Sequence, residues 1–170
     1  EEQRKTEVMS EALMAALNAQ LKHTRFALGN RPTAVDAVLM GGLRAHMLAD
    51  PEPRRRLAAY PDLADWAQAR HSWSDTGALC RYDEPNGFVE MVLGELAGGY
   101  RDFSLVNRDA LDTGEKAFLM TNSIGEVSFL ARRYLEHSRR ALVEWLRSDE
   151  SVGYDELQPW LMGMGLADVF

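Results

Sequence analysis

A single cysteine, Cys80, is the only thiol in this 170-residue chain. One thiol excludes an intrachain disulfide framework and a multi-cysteine zinc site. It also fits a reducing compartment, so a cytoplasmic location is expected. Long apolar runs are missing too. None reaches the roughly 18 residues that a membrane-spanning helix needs, and no signal peptide opens the chain, so no membrane partner is expected. Basic charge is in short supply: 19 Lys and Arg stand against 26 Asp and Glu, a formal charge of −7 at pH 7. The phosphate-neutralising interaction then has the wrong sign for broad nucleic-acid binding, and no nucleic-acid partner is expected. Internal repeats and low-complexity segments are absent. The opening Glu1-Glu2-Gln3 carries no initiator Met and begins in mid-pattern, which reads as a piece of something longer.

What the chain does have is ordinary globular composition, 46% hydrophobic and 26% charged, arranged at helical spacing. Glu2 to Lys22 is the first expected helix, with Met9, Leu13, Ala16, Leu17 and Leu21 on one face and a stop at Gly29-Asn30. The second has the clearest start. Thr33 precedes an apolar run and Asp36 follows three residues on, a T-x-x-D capping box in which the hydroxyl and the carboxylate each serve the other residue's amide. From there to Ala49 the pattern is apolar almost all round. Val35, Val38, Leu39 and Leu43 lie on one side and Ala37, Met40, Ala45 and Leu48 on another, which predicts a helix in the middle of a bundle. Two short helices follow, at about Glu52 to Ala59 and from Pro61 to Arg70. Ser72 to Gly87 reads as a loop.

Phe88 to Leu111 predicts a long helix whose Gly94, Gly98 and Gly99 point to close packing or a kink. Ala117 to Leu130 fits either a short β-hairpin or a turn between helices. Phe129 to Ser148 then predicts a helix with Leu130, Tyr134, Ala141, Leu142 and Trp145 on its inner side and a Glu136–Arg140 pair on its wet side. Tyr154 to Met162 and an apolar tail, Leu166 to Phe170, complete the chain. The fold class expected is all-α.

Two segments carry a resemblance. Phe26-Ala-Leu-Gly-Asn-Arg-Pro-Thr-Ala-Val-Asp-Ala-Val-Leu-Met40 is similar to the C-terminal helical domain of the glutathione S-transferase superfamily, whose "F-L-L-G … P-S/T-x-A-D" segment caps a buried central helix. Pro32, Thr33 and Asp36 fill those places, with Val35 where Ala is usual. Tyr60-Pro61-Asp62-Leu63-Ala64-Asp65-Trp66 resembles the family's "P-x-L-x-x-W" helix, and Phe88 onward resembles the extended tail of a bacterial subgroup. The resemblance implies a helical core at 1–74, a helical extension at 75–170 packed on the same domain, and an apolar pocket for a small hydrophobic electrophile. It implies glutathione as cofactor only where a thioredoxin-like domain accompanies the chain, so that these residues alone are not catalytic. A homodimer is in keeping with it. The alternative from another class is a non-catalytic dimerisation or protein-interaction module.

Among single residues, Thr33 and Asp36 are read as structural, and no catalytic residue is assigned. His23, His46, His71 and His137 lie far apart without ligand spacing, so no metal is expected. Cys80 beside Arg81 lacks a placed base. Arg132, Arg133, Arg139 and Arg140 interleave with Glu136 and Glu144 and read as a solvated face. Gly163-Met164-Gly165 lacks the lysine of a phosphate loop. Arg44, Tyr100 and Asn107 are polar groups on apolar helix surfaces, which must pair internally or face a ligand. They are the ligand-binding candidates. Met40, Met47, Met91 and Phe103 are read as core.

Overall fold

The computed structural model describes residues 2–74, 76–81, 83–122, 125–148 and 153–170. Helix makes up 61% of the chain, and a single two-stranded antiparallel sheet is the strand structure among the described residues, so the class is mainly α. Two compact units are present, one ending at Val92 and the other starting at Leu93. The division falls later than the boundary at residue 74 expected from sequence, because Phe88, Val89 and Val92 pack with the first core.

In the first unit, α1 (Glu2–Leu21) runs into a tight loop at Gly29. The φ of Gly29 is 129°, and an added Cβ would stand 2.6 Å from the Ala78 carbonyl oxygen, so only glycine fits this crossing. Next comes α2 (Ala34–Gly42), which continues without a break into a π-helical turn, Leu43–Met47. Helix α3 (Pro51–Leu57) and α4 (Pro61–Gln68) each carry proline in the first turn, where its missing N–H costs nothing. Their core gathers Met14, Leu17, Phe26, Met40, Leu43, Leu57, Leu63, Trp66 and Phe88.

One expectation about α2 is corrected here. Met40, Leu43 and the Asp36 carboxylate point inward, but Val35 is exposed and Val38 is 75% exposed. An apolar wheel records side-chain chemistry and not how many neighbours exist to cover it. Each expected face is packed only in part, Leu43 and Leu39 from one and Met40 and Leu48 from the other, with Val35, Val38, Ala37 and Ala45 left exposed.

The long helix expected at Phe88–Leu111 spans the boundary between the units. It comprises α5 (Gly87–Glu95), a π-helical turn (Leu96–Tyr100) and α6 (Arg101–Asp112). Of the two readings of its glycines, close packing is not what the structure has. A Cβ on Gly94, Gly98 or Gly99 would meet nothing within 4 Å, whereas Gly98 and Gly99 sit inside the π turn, the usual site of a local break in register. Gly94 is exposed in regular helix with negative φ. Gly94→Ala should therefore stabilise the chain by about 0.5–1 kcal/mol. Thermal melts that show no rise would mean that the glycine is needed there.

In the second unit, β1 (Ala117–Asn122) and β2 (Gly125–Leu130) form the hairpin, with Phe118 opposite Phe129 and Met120 opposite Val127. Of the two readings of Ala117 to Leu130, the hairpin holds; its tip residues Ser123 and Ile124 lie outside the described residues. Phe103 of α6 anchors it, with ring centroids 5.4 Å from Phe118 and 5.2 Å from Phe129, both edge-on. Then follow α7 (Arg133–Leu146) and α8 (Tyr154–Gly163). Gly165, at φ 69°, closes α8 with a Leu166 N–H to Leu161 C=O bond. This turns the tail back so that Leu166 and Val169 bury against Leu161.

Helix α7 is rotated from its expected setting. Leu130, Tyr134, Ala141, Leu142 and Trp145 all stand exposed, while Glu136, placed by the sequence on the wet side, is only 5% exposed. The arginines fail as a uniformly solvated face for the same reason. Arg139 donates from two nitrogens to the Glu136 carboxylate at 2.8 Å and from a third to the Val169 carbonyl at 2.7 Å. A satisfied ion pair takes the inner side, and the aromatic side is left outward.

Candidate functional site

The capping box forms as expected and extends further than a cap. Asp36 is fully buried. One of its oxygens accepts from the Thr33 amide and hydroxyl, each at 2.8 Å, and the other accepts from the Ala27 amide at 2.8 Å. The Ala27 carbonyl is in turn held by Asn86 Nδ2 at 2.9 Å. Asn86 also accepts from the Val89 amide and so caps α5, a role the sequence reading missed. Trp66 Nε1 donates to the Arg25 carbonyl at 3.0 Å. These side chains all satisfy backbone groups of one buried loop, which is structural work.

The ligand-binding candidates are placed similarly. Arg44 donates to the Ala67 and Ala69 carbonyls at 2.7 and 2.6 Å, satisfying oxygens left open at the end of α4. Asn107 is fully buried and clasps both backbone groups of Arg132, accepting from its amide at 2.6 Å and donating to its carbonyl at 3.2 Å. That fixes the chain where it turns into α7. Tyr100 packs on the tail cluster around Leu161. Arg44 belongs to the first unit and Tyr100 and Asn107 to the second, and none of the three lines either cavity below.

The first cavity, about 350 Å³, lies between α1, the π turn after α2, and α3. Met14, Met47 and Pro53 supply its apolar wall, and Ser10, Glu7, Glu11, Glu52 and Arg56 supply the polar rim. Arg56 lies 3.9 Å from both Glu7 and Glu11 and 3.3 Å from Glu52. Hydrogen bonds from Arg55 and Arg56 hold the Glu52 carboxyl at about 2, so it is ionised throughout the physiological range. The rim is therefore ion-paired, with Arg56 among its carboxylates and Arg55 on Glu52. The volume falls within the range of small-molecule sites. Such a cavity, apolar behind an ion-paired rim, suits a neutral guest with an apolar body.

A second cavity, about 310 Å³, is lined by Leu21, Thr24, Arg25, Asp62, Asp65, Trp66 and His71. His71 Nε2 lies 2.7 Å from the Trp66 carbonyl, and its ring packs beside those of Phe26 and Trp66. That histidine is used in packing.

No protein-family model, no curated protein and no solved structure matches this chain.

Among the described residues, no group of three or more His, Cys, Asp or Glu is placed to hold a metal ion. His46, on the helix expected to be buried, is exposed. Arg81 pairs with Asp83, so its charge is engaged beside Cys80 by a carboxylate. No described helix is long and apolar enough to cross a membrane. The sequence reading missed the cavity altogether. Its only local trace is the Glu7, Glu11 spacing of four on one helix face, because the other walls come from the π turn after α2 and from α3, far along the chain.

Proposed function

We propose that this chain is the substrate-side helical domain of a glutathione transferase-like protein, in which the cavity between α1 and α3 receives a small hydrophobic electrophile. The observation that carries the reading is the character of that cavity, an apolar wall of Met14, Met47 and Pro53 behind an ion-paired rim. A site of this kind offers an apolar guest a wall and gives it no free charge to meet. Thr33 and Asp36, in the segment that resembles the family, add support through the buried box they build. In such a protein glutathione would be held and its thiolate stabilised on a thioredoxin-like domain. The helical side would contribute proximity, placing the electrophile within reach of the sulfur.

Titration with chlorodinitrobenzene, a neutral aryl electrophile, should raise the melting temperature of the 170-residue chain, while glutathione should not. No conjugate should form when both are present. Ser10→Trp, at an exposed rim position, should fill the cavity and abolish the shift while leaving the melt of the free chain unchanged. Glutathione binding as tightly as the electrophile, or an unaltered response in Ser10→Trp, would remove this reading. The interaction-module reading rests on a different surface, the outward side of α7.

A further inference from the structure

The second cavity has a chemistry of its own, independent of the transferase proposal. Asp62, Asp65 and Trp66 stand at i, i+3 and i+4 on α4, so one side of that helix carries two carboxylates next to an indole. Leu21 at the end of α1, Thr24 and Arg25 in the turn after it, and His71 beyond α4 complete a space of about 310 Å³. Trp66 is 6% exposed, Leu21 and His71 are half-buried, and Asp65 is exposed. An aromatic and aliphatic floor thus lies beneath a carboxylate mouth.

What this lining offers a guest follows from which polar atoms are already engaged. Its neutral donors are used inside the protein. Trp66 Nε1 donates to the Arg25 carbonyl at 3.0 Å, and Thr24 Oγ1 donates to the Phe26 carbonyl at 2.9 Å. His71 Nε2 sits 2.7 Å from the Trp66 carbonyl, an oxygen that can only accept, so this nitrogen carries a proton and donates. In the neutral ring Nδ1 is then a bare acceptor. The carboxylates are engaged far less. Asp65 forms no ion pair with any described residue, and Asp62 meets Lys22 only at 3.9 Å, with that lysine 56% exposed. Arg25, the cation of the lining, has its guanidinium over the Phe26 ring, 5.8 Å from the centroid.

Acceptors in want of donors, above a floor of Trp66 and Leu21, are the complement of a donor-rich cation with an apolar body. An anion would meet two carboxylates with Arg25 alone to favour it. A neutral ring would cover the floor and leave Asp65 to water. The volume, at the small end of the range for small-molecule sites, limits the guest to one ring and a short chain. We propose that this cavity is a binding site for a primary amine bearing an aromatic ring, with the ammonium held by Asp65 and Asp62 and the ring laid against Trp66 and Leu21.

Calorimetric titration of the full chain with 2-phenylethylamine, an ammonium at neutral pH, should give a dissociation constant on the order of 0.5 mM. The alcohol 2-phenylethanol keeps the ring and lacks the charge, and it should bind at least about fivefold more weakly. Phenylacetate should not bind. Asp65→Asn should weaken the amine by about fivefold or more, with a melt matching wild type because the residue is exposed and unpaired. Ser10→Trp, which fills the first cavity, should leave amine binding unchanged, so failure here and failure of the electrophile site are told apart. An amine that does not bind at about 10 mM overturns the proposal. So does an alcohol or phenylacetate binding as tightly as the amine, wild-type affinity in Asp65→Asn, or loss of binding in Ser10→Trp.

Discussion

Replacing Asp36 by alanine is expected to destabilise the chain by about 3 kcal/mol, lowering the melting temperature by about 6–12 °C. The size follows from what the carboxylate holds. Three donors converge on it, the Ala27 amide and the amide and hydroxyl of Thr33, at 2.8 Å each. Hydrogen bonds to a charged acceptor contribute about 1.5–3 kcal/mol each, and the donors released do not all regain water. Thr33 is half-buried and can be rehydrated. Ala27 is fully buried, so its N–H is stranded. Asn at this position keeps one acceptor oxygen and should recover part of the loss. Thr33→Ala removes one donor and should cost about 1 kcal/mol. A melt of Asp36→Ala within about 1 °C of wild type would show that the carboxylate is not holding this loop.

The second large effect is an acid-limb effect at Glu136. The Arg139 guanidinium, hydrogen-bonded to it, and Arg140 beyond it outweigh the cost of burial and hold the carboxyl at about 2. Folding therefore lowers this pKa from an ordinary value near 4.5. The stability it contributes is complete above about pH 4.5 and is lost as the pH falls toward 2. With discount for screening through the exposed Arg140, the contribution is about 2 kcal/mol. Glu136→Gln keeps the shape and removes the charge. Urea titrations at about pH 6 and pH 3 should show wild type losing more stability than this variant on acidification. Equal losses in the two proteins would place the acid sensitivity elsewhere. Glu136→Ala should be worse at neutral pH, by about 3 kcal/mol, because Arg139 is then left mostly buried without its partner. The tail should loosen with it, since the same guanidinium holds the Val169 carbonyl.

These two carboxylates differ in how far the sequence disclosed them. Asp36 was legible because a capping box is local: threonine, three residues, aspartate, and an apolar run. Its grip on Ala27, nine residues back, was not, since nothing in the box specifies the loop before it. Glu136 was misread because periodicity on α7 shows two possible inner faces and chooses the more apolar. The structure takes the other, where Arg139 and Arg140 both donate to the carboxylate and the Val169 carbonyl accepts from Arg139. Val38 makes the same point for α2, since a wheel cannot report whether a neighbour exists. Most helix positions followed from prolines, glycines and caps, all short-range signals, but the helix expected from Phe129 begins at Arg133, because Phe129 and Leu130 pair in β2, and the Asn86 cap was missed. The π turns were missed too, because no residue pattern distinguishes them from ordinary helix. The cavity needed tertiary convergence of α1 with α3.

Ala27 has an entropic side as well. Its N–H is held by Asp36, nine residues along the chain, and its C=O by Asn86, 59 residues along. Closing the longer loop costs about 1.7 kcal/mol more in chain entropy than closing the shorter one. The two backbone groups of one residue thus close a short loop and a long one, the shorter at the lower entropic cost. The loop at Ala27 is where local and long-range closure of the chain meet on one residue.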